Sequence, residues 1–333
     1  MRRYSAQVQY PDPTKPPSGG VLDVNEDGDS TRKCKTTQSF ETLFDSEALS
    51  DVVLNINEGE LTFNAHKMIL GMKSEVFTRL LNELTAVDDS PRLILKLHVD
   101  ADCVQIFSRF LYFLYSGAVW LHREYVVPLY RLAVDYSVWP LISHCENYIM
   151  QILEKTIQYG YGTASFSIEV VSSLYESNIM PGQIRSQAFQ VLCVCFTQLS
   201  CSKLWSSCSW EMVRDLIQSD DINADEDCIL SAATGWMKDN KLQDKSKIQD
   251  ILANIRYPML NRRVLYHLLK NRAFQNFPYV AELVDGAVKY QCFKDLAEAH
   301  HEFTGVQYQR RKGQLPRSSQ TVGTVPHQHI QSV

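Results

Sequence analysis

The 333-residue sequence lacks the patterns that mark membrane and secreted proteins. No apolar run approaches the roughly 20 residues of a membrane-spanning helix, and the start of the chain has two arginines but no apolar segment of a secretory signal peptide. No Asn is followed two residues later by Ser or Thr, so the sequence has no N-glycosylation acceptor. These absences predict a cytoplasmic protein without a membrane partner, and they give no support for secretion.

Excess charge and catalytic motifs are also missing. The formal net charge is −5, with 21% charged residues, which leaves no basic surface to attract nucleic acid. There is no Gly-rich phosphate loop, and neither Gly-x-Ser-x-Gly nor His-Glu-x-x-His occurs. We therefore predict a non-enzymatic protein with no cofactor and no nucleic-acid partner, although a catalytic triad scattered through the fold would escape such a motif search.

The nine cysteines are an odd number, and most lie inside apolar runs such as residues 191–196. Reduced thiols are used in this way as small core residues in a reducing compartment. Cys193, Cys195, Cys201 and Cys208 lack the paired spacing of a structural zinc site. The first two, at i and i+2 of a predicted helix, point to different faces. We expect core thiols at these positions and no metal.

Apolar periodicity divides the chain into two predicted domains between polar ends. Residues 1–37 and 304–333 have almost no apolar periodicity, which predicts a disordered arm and a disordered tail. Residues 38–155 combine strand and helix patterns, whereas residues 160–275 have helical periods and are followed by a helical extension over 276–303. The predicted fold is an α+β domain, a small mixed sheet covered by helices, followed by an all-α domain.

The individual elements follow from the same periodicity and from turn residues. The predicted strands are Val52–Ile56, Leu61–Phe63 and Leu93–Leu97. The predicted helices cover residues 66–72, 74–83, 101–115, 125–136, 141–153, 168–177, 182–198, 201–205, 209–218, 226–239, 246–255, 261–269 and 280–290. Ser74 is an expected helix N-cap, and Gly117 is an expected left-handed C-terminal cap.

Several short motifs in a fixed order carry a resemblance to a known family. In the first domain they are Ser50-Asp51-Val52, Phe63-x-Ala65-His66-Lys67, Leu70, Ser74 with Phe77, and Phe110-Leu111-Tyr112-x-x-Tyr115-Ser116-Gly117. In the second domain they are Ala232-x-x-x-Trp236 and Ile255-Arg256-Tyr257-Pro258-Met259-Leu260. Residues 38–155 resemble a BTB/POZ domain, and residues 160–275 resemble the BACK domain that often follows it. The late motif is most similar to the galectin-3-binding-protein and BTBD-type branch, and no kelch repeats are expected.

The resemblance implies a protein-interaction adaptor that forms a homodimer through its first domain. An apolar face formed by Phe40, Leu43 and Phe44, with Leu49 after it, is the expected two-fold contact. In the family, residues matching Asp51, His66 and Lys67 lie near the dimer groove, where a half-buried carboxylate is offset by opposite charge. The alternative for these last residues is local: His66 caps a helix and Lys67 is solvated.

The loop before the third predicted strand contains a candidate contact for cullin-3. Cullin-binding BTB proteins often carry an apolar residue followed by acidic ones there, and Val87, Asp88 and Asp89 fit that pattern. The alternative is an ordinary acidic loop. The resemblance therefore predicts a substrate adaptor for a cullin-3 ubiquitin ligase with an unidentified client protein. The competing hypothesis is a self-assembly or scaffold module without ubiquitin function.

Overall fold

The computed structural model describes residues 12–15, 32–35, 40–85, 90–162, 164–271, 274 and 276–314. Backbone contacts divide the chain into two units, residues 1–192 and 193–333. This division falls inside a helix, Gly182–Val194, and therefore does not test the expected domain boundaries at 155 and 160, which stay predictions.

The first unit contains five short strands and eight helices among its described residues. The strands are β1 Arg32–Lys35, β2 Val52–Ile56, β3 Leu61–Ala65, β4 Leu93–Leu97 and β5 Ala118–Leu121. The helices are α1 Lys67–Lys73, α2 Glu75–Thr85, α3 Ala101–Val104, α4 Phe107–Ser116, α5 Val126–Asp135, α6 Trp139–Tyr159, α7 Ile168–Glu176 and α8 Gly182–Val194. Two 3-10 turns, Glu41–Leu43 and Asn57–Gly59, precede β2 and β3.

A three-stranded mixed sheet organises the core of this unit. Strand β2 lies in the centre, antiparallel to β3 and parallel to β4. Its alternate residues Val52, Leu54 and Ile56 are fully buried, as the period of two in a strand requires. The Asn57 side chain holds the following turn in place, because its amide group exchanges two hydrogen bonds of 2.8 and 2.9 Å with the backbone of Val99.

Two helix ends in the first unit confirm the capping chemistry predicted from the sequence. The Ser74 hydroxyl accepts a hydrogen bond of 3.0 Å from the Phe77 amide at the start of α2. Gly117 ends α4 with a φ of 64°, a conformation that costs little without a Cβ. Every residue of α4 is buried, so Gly117 ends a helix that lies entirely within the core of the domain.

The regular elements of the second unit are all helices or 3-10 turns among its described residues, which confirms the predicted all-α arrangement. Its helices are α9 Phe196–Ser200, α10 Trp210–Gln218, α11 Glu226–Asp239, α12 Lys245–Ala253, α13 Arg262–Lys270 and α14 Pro278–Phe293. Short 3-10 turns lie at Trp205–Ser207, Tyr257–Met259, Ala297–Glu302, Val306–Tyr308 and Lys312–Gln314. The helix predicted over 182–198 is interrupted at Cys195, and the one predicted over 201–205 is wrong, because the chain turns there before a 3-10 turn begins at Trp205.

Both polar ends contain structure that the sequence did not predict. Strand β1 lies within the predicted disordered arm and pairs antiparallel with β5. Residues 304–314 lie within the predicted disordered tail, yet the Arg311 side chain is 1% exposed. These two stretches depart from the predicted disorder, which otherwise stays a prediction for both ends of the chain, and the second stretch has consequences for stability and recognition.

Candidate interaction surface

Asp51, His66 and Lys67 lie together at the start of α1. The Asp51 Oδ1 atom accepts a hydrogen bond of 2.8 Å from the Lys67 backbone amide, the first residue of the helix. A carboxylate at this position satisfies a free amide and interacts favourably with the helix dipole. Asp51 is therefore the side chain that caps α1, whereas His66 occupies the N-cap position without a capping hydrogen bond.

The His66 ring belongs to a buried hydrogen-bond network. Its Nε2 atom lies 2.8 Å from the Ala48 carbonyl oxygen, which only accepts, so Nε2 carries a proton. Its Nδ1 atom and its backbone amide both lie 3.0 Å from the Tyr115 hydroxyl oxygen. The hydroxyl can donate to Nδ1 while it accepts from the amide, and burial raises the pKa of Tyr115. Each polar atom of this network is paired within one chain.

Tyr115→Phe tests this network. The change leaves the His66 amide and Nδ1 buried without a partner, so we expect unfolding to become easier by about 1–3 kcal/mol. Urea denaturation of the full chain measures the loss. The matched control is Tyr159→Phe, at a side chain that is 78% exposed, which we expect to be neutral. Equal stability of the two variants would contradict the network's role.

The predicted apolar face around Phe40 packs partly on its own domain. The Phe44 ring lies 6.5 Å from Phe63, 5.3 Å from Tyr112 and 6.0 Å from Tyr115, measured between ring centroids. Phe40, Leu43 and Phe44 keep intermediate exposure, and the expected short helix is the 3-10 turn Glu41–Leu43. Their place in a dimer interface, like that of Asp51, His66 and Lys67, stays a prediction.

Three large exposed apolar side chains, Leu49, Met68 and Met72, lie close to these residues in the sequence, and they are called the exposed apolar patch below. Leu49 is 86% exposed, Met68 66% and Met72 59%. The two methionines are four residues apart on one face of α1, and the His66–Ala48 hydrogen bond holds the loop carrying Leu49 near the start of that helix. The two methionines were not predicted as site residues, although a helix with apolar residues on all sides, such as residues 68–72, indicates a second contact.

Leu49 also has an unusual backbone conformation. Its φ is 60°, in the left-handed region that large side chains rarely adopt. Such a conformation persists where the surrounding structure or a function requires it. Here it directs a large apolar side chain outward.

The loop residues Val87, Asp88 and Asp89 lie outside the described residues, and their proposed role in cullin binding stays a prediction. The described chain ends α2 at Thr85 and resumes before β4.

The cysteines expected in the core are mostly buried. Cys193, Cys195 and Cys208 are buried, whereas Cys201 is exposed, so the prediction is wrong for that residue. Burial raises the pKa of Cys193 to about 12 and that of Cys195 to about 11, which keeps both thiols protonated and unreactive at neutral pH. Among the residues that the structure describes, no helix has the length and apolar character needed to cross a membrane.

Comparisons with known proteins agree with this architecture. Residues 40–153 match the BTB/POZ domain family, and residues 177–270 match the family described as BTB And C-terminal Kelch, or BACK. A kelch-repeat domain is not among the matches.

Three relatives illustrate the similarity. BTB/POZ domain-containing protein 17 of Homo sapiens is 26% identical over 78% of this chain and 52% of its own length. The galectin-3-binding protein of Mesocricetus auratus is 22% identical over 76% of this chain and 41% of its own. Kelch-like protein 1 of Mus musculus is 26% identical over 86% of this chain and 35% of its own length. The chain spans about half the length of the first of these relatives. The two family matches show that this chain carries a BTB/POZ domain followed by a BACK domain.

Proposed function

We propose that the protein is a non-enzymatic adaptor that pairs two copies through its BTB domain and presents a client to a cullin-3 ubiquitin ligase. BTB and BACK domains are protein-interaction modules. The observation that carries the pairing is the exposed apolar patch, because a group of large apolar side chains left in water is typical of a contact surface. The buried free thiols support an intracellular, cytoplasmic setting.

In this proposal the mechanism is proximity. The BTB domain holds the ligase scaffold, the BACK domain extends that contact, and a client bound elsewhere on the chain is brought within reach of the ligase. The protein contributes no bond chemistry. Cullin-3 is favoured as the scaffold by the similarity to Kelch-like proteins and by residues Val87, Asp88 and Asp89, an apolar residue followed by two acidic ones.

Co-elution of the full chain with the amino-terminal domain of cullin-3 tests the scaffold contact. We expect a complex of two chains and two scaffold domains by size-exclusion chromatography with light scattering. Asp89→Lys places a like charge against a basic rim and should weaken the complex by at least about tenfold, because such a reversal costs at least about 1.4 kcal/mol at a contact. Glu154→Lys, at an exposed residue of α6, is the control for the charge change.

The second candidate function is self-assembly without ubiquitin transfer. The similarity to galectin-3-binding protein favours it, and the exposed apolar patch serves it equally well. A dimer or larger assembly that fails to bind the scaffold domain at micromolar concentration would overturn the ligase proposal and leave this function.

A further inference from the structure

The stretch from Phe303 to Gln314 packs against the preceding helices of the second unit in the way that a bound peptide packs against a domain. Its aromatic residues Phe303 and Tyr308 pack with Tyr290 of α14 at ring-centroid distances of 5.2 Å. Residues 300–302 just before it are exposed, as are residues 292–298. The stretch is thus joined to α14 by solvated chain, and its contacts begin at Phe303.

Arg311 lies in a pocket that matches a guanidinium group atom by atom. Its Nε and one Nη atom donate to the two carboxylate oxygens of Glu226, at 2.5 and 3.3 Å. The remaining donors bind three backbone carbonyl oxygens, those of Ile217 at 2.7 Å, Ser219 at 2.6 Å and Asn254 at 3.0 Å. All five N–H groups of the guanidinium are therefore used, and a lysine could not reproduce this planar fork.

The next residue, Lys312, contacts the Asp220 carboxylate, although its own side chain is 76% exposed. The Lys312 ammonium lies 3.4 Å from Asp220, and its amide donates to the same carboxylate at 3.3 Å. Burial raises the pKa of Asp220, but the hydrogen bond and charge of Arg256, assisted by Lys312, outweigh burial and hold it below its usual value. The carboxylate is therefore charged at neutral pH and attracts a basic residue.

Gly313 lies too close to the opposite backbone for any other residue. A Cβ atom there would lie 2.5 Å from the Ile222 carbonyl oxygen and closer still to that of Asp221. The Gly313 amide donates to the Asp220 carbonyl oxygen at 3.2 Å. The surface thus encloses the Arg311 guanidinium, places a carboxylate beside the exposed Lys312 side chain, and leaves room only for glycine at position 313.

Open space continues beside the bound stretch. A cleft of about 350 Å³ is lined by Asn223, Ala224, Asp225, Glu226, Met259, Arg310 and Gln314. The chain's own segment therefore leaves part of this surface unfilled, and the cleft has room for side chains that this segment does not supply.

We propose that the second unit carries a peptide-recognition site for an arginine followed by a basic residue and a glycine, and that residues 311–313 are its built-in occupant. A partner protein with such a sequence in an exposed segment that can adopt the same 3-10 turn would displace the occupant. The site lies wholly within residues 217–314, so the inference is independent of dimer formation and of cullin binding.

Binding of a labelled peptide with the sequence of residues 303–316 tests the proposal. On the full wild-type chain the covalent occupant competes at an effective concentration of about millimolar, so the peptide should bind weakly. On the full-length Arg311→Ala chain the pocket is vacant, and we expect binding at least about tenfold tighter, with a rise in melting temperature on saturation. Peptides with Arg311→Lys or Gly313→Ala are the matched controls and should lose binding at least about tenfold.

A second design covers the case in which Arg311→Ala prevents folding. A protease site inserted in the exposed 3-10 turn Ala297–Glu302 lets the wild-type segment be cut free after folding. Labelled peptide should then replace the cleaved segment, and the Arg311→Lys peptide should fail to do so. Retention of the cleaved segment against excess peptide, or equal binding of the wild-type and Arg311→Lys peptides, would overturn the proposal.

Discussion

Arg311→Ala is expected to destabilise the second unit by about 3–5 kcal/mol. Arg311 and Glu226 are each 1% exposed, and removing one partner of a buried ion pair leaves the other charge in a medium that cannot solvate it. Three backbone carbonyl groups lose their partner as well. Chemical denaturation of the full chain, followed by tryptophan fluorescence, measures the change.

Arg310→Ala is the matched control for this prediction. It removes the same side chain one position earlier, where the residue is exposed, and surface substitutions of this kind usually change stability by less than about 0.5 kcal/mol. A chain truncated after residue 303 should be destabilised at least as much as Arg311→Ala, because it loses the Arg311 contacts together with the packing of Tyr308 against Tyr290. The prediction is wrong if Arg310→Ala and Arg311→Ala unfold at the same denaturant concentration.

The sequence predicts best where local chemistry decides the structure. Strand β2 and its partners follow from alternating apolar residues, and Ser74 and Gly117 end their helices as their side chains dictate. The resemblance predicted both domain types, which the family matches confirm. These features depend on patterns spanning a few residues, and such patterns are visible in a single sequence.

The features that the sequence did not predict depend on partners far along the chain. Arg311 lies in a polar stretch, Gln309–Gln314, that is typical of solvated tails, and its burial depends on Glu226, 85 residues earlier. Strand β1 has a single apolar residue and forms through pairing with β5, about 85 positions later. At the candidate site, Asp51 and His66 were predicted to be neighbours, but the network through Tyr115 spans 49 positions and required the structure.

The second prediction with a large expected effect concerns the dissociation constant of the proposed dimer. In an isologous two-fold contact each residue is buried twice, so a side chain worth roughly 1.5–3 kcal/mol contributes twice that to association. Leu49→Asn removes the apolar side chain and keeps a residue that tolerates a positive φ. We therefore expect the dimer dissociation constant to rise by at least about 100-fold, measured by sedimentation or light scattering over a dilution series. Tyr159→Asn, at a similarly exposed residue, should leave dissociation unchanged.

Leu49→Gly separates an interface role from a folding role by the sign of two effects. A leucine held at a φ of 60° pays about 1–2 kcal/mol of backbone strain that glycine avoids. Within a single chain the 86% exposed side chain recovers little of that cost. If Leu49 serves the dimer, glycine should make the dilute monomer as stable as before or more stable, while it weakens the dimer. A variant that lowers monomer stability and leaves dimer dissociation unchanged would show that Leu49 serves the fold of its own chain.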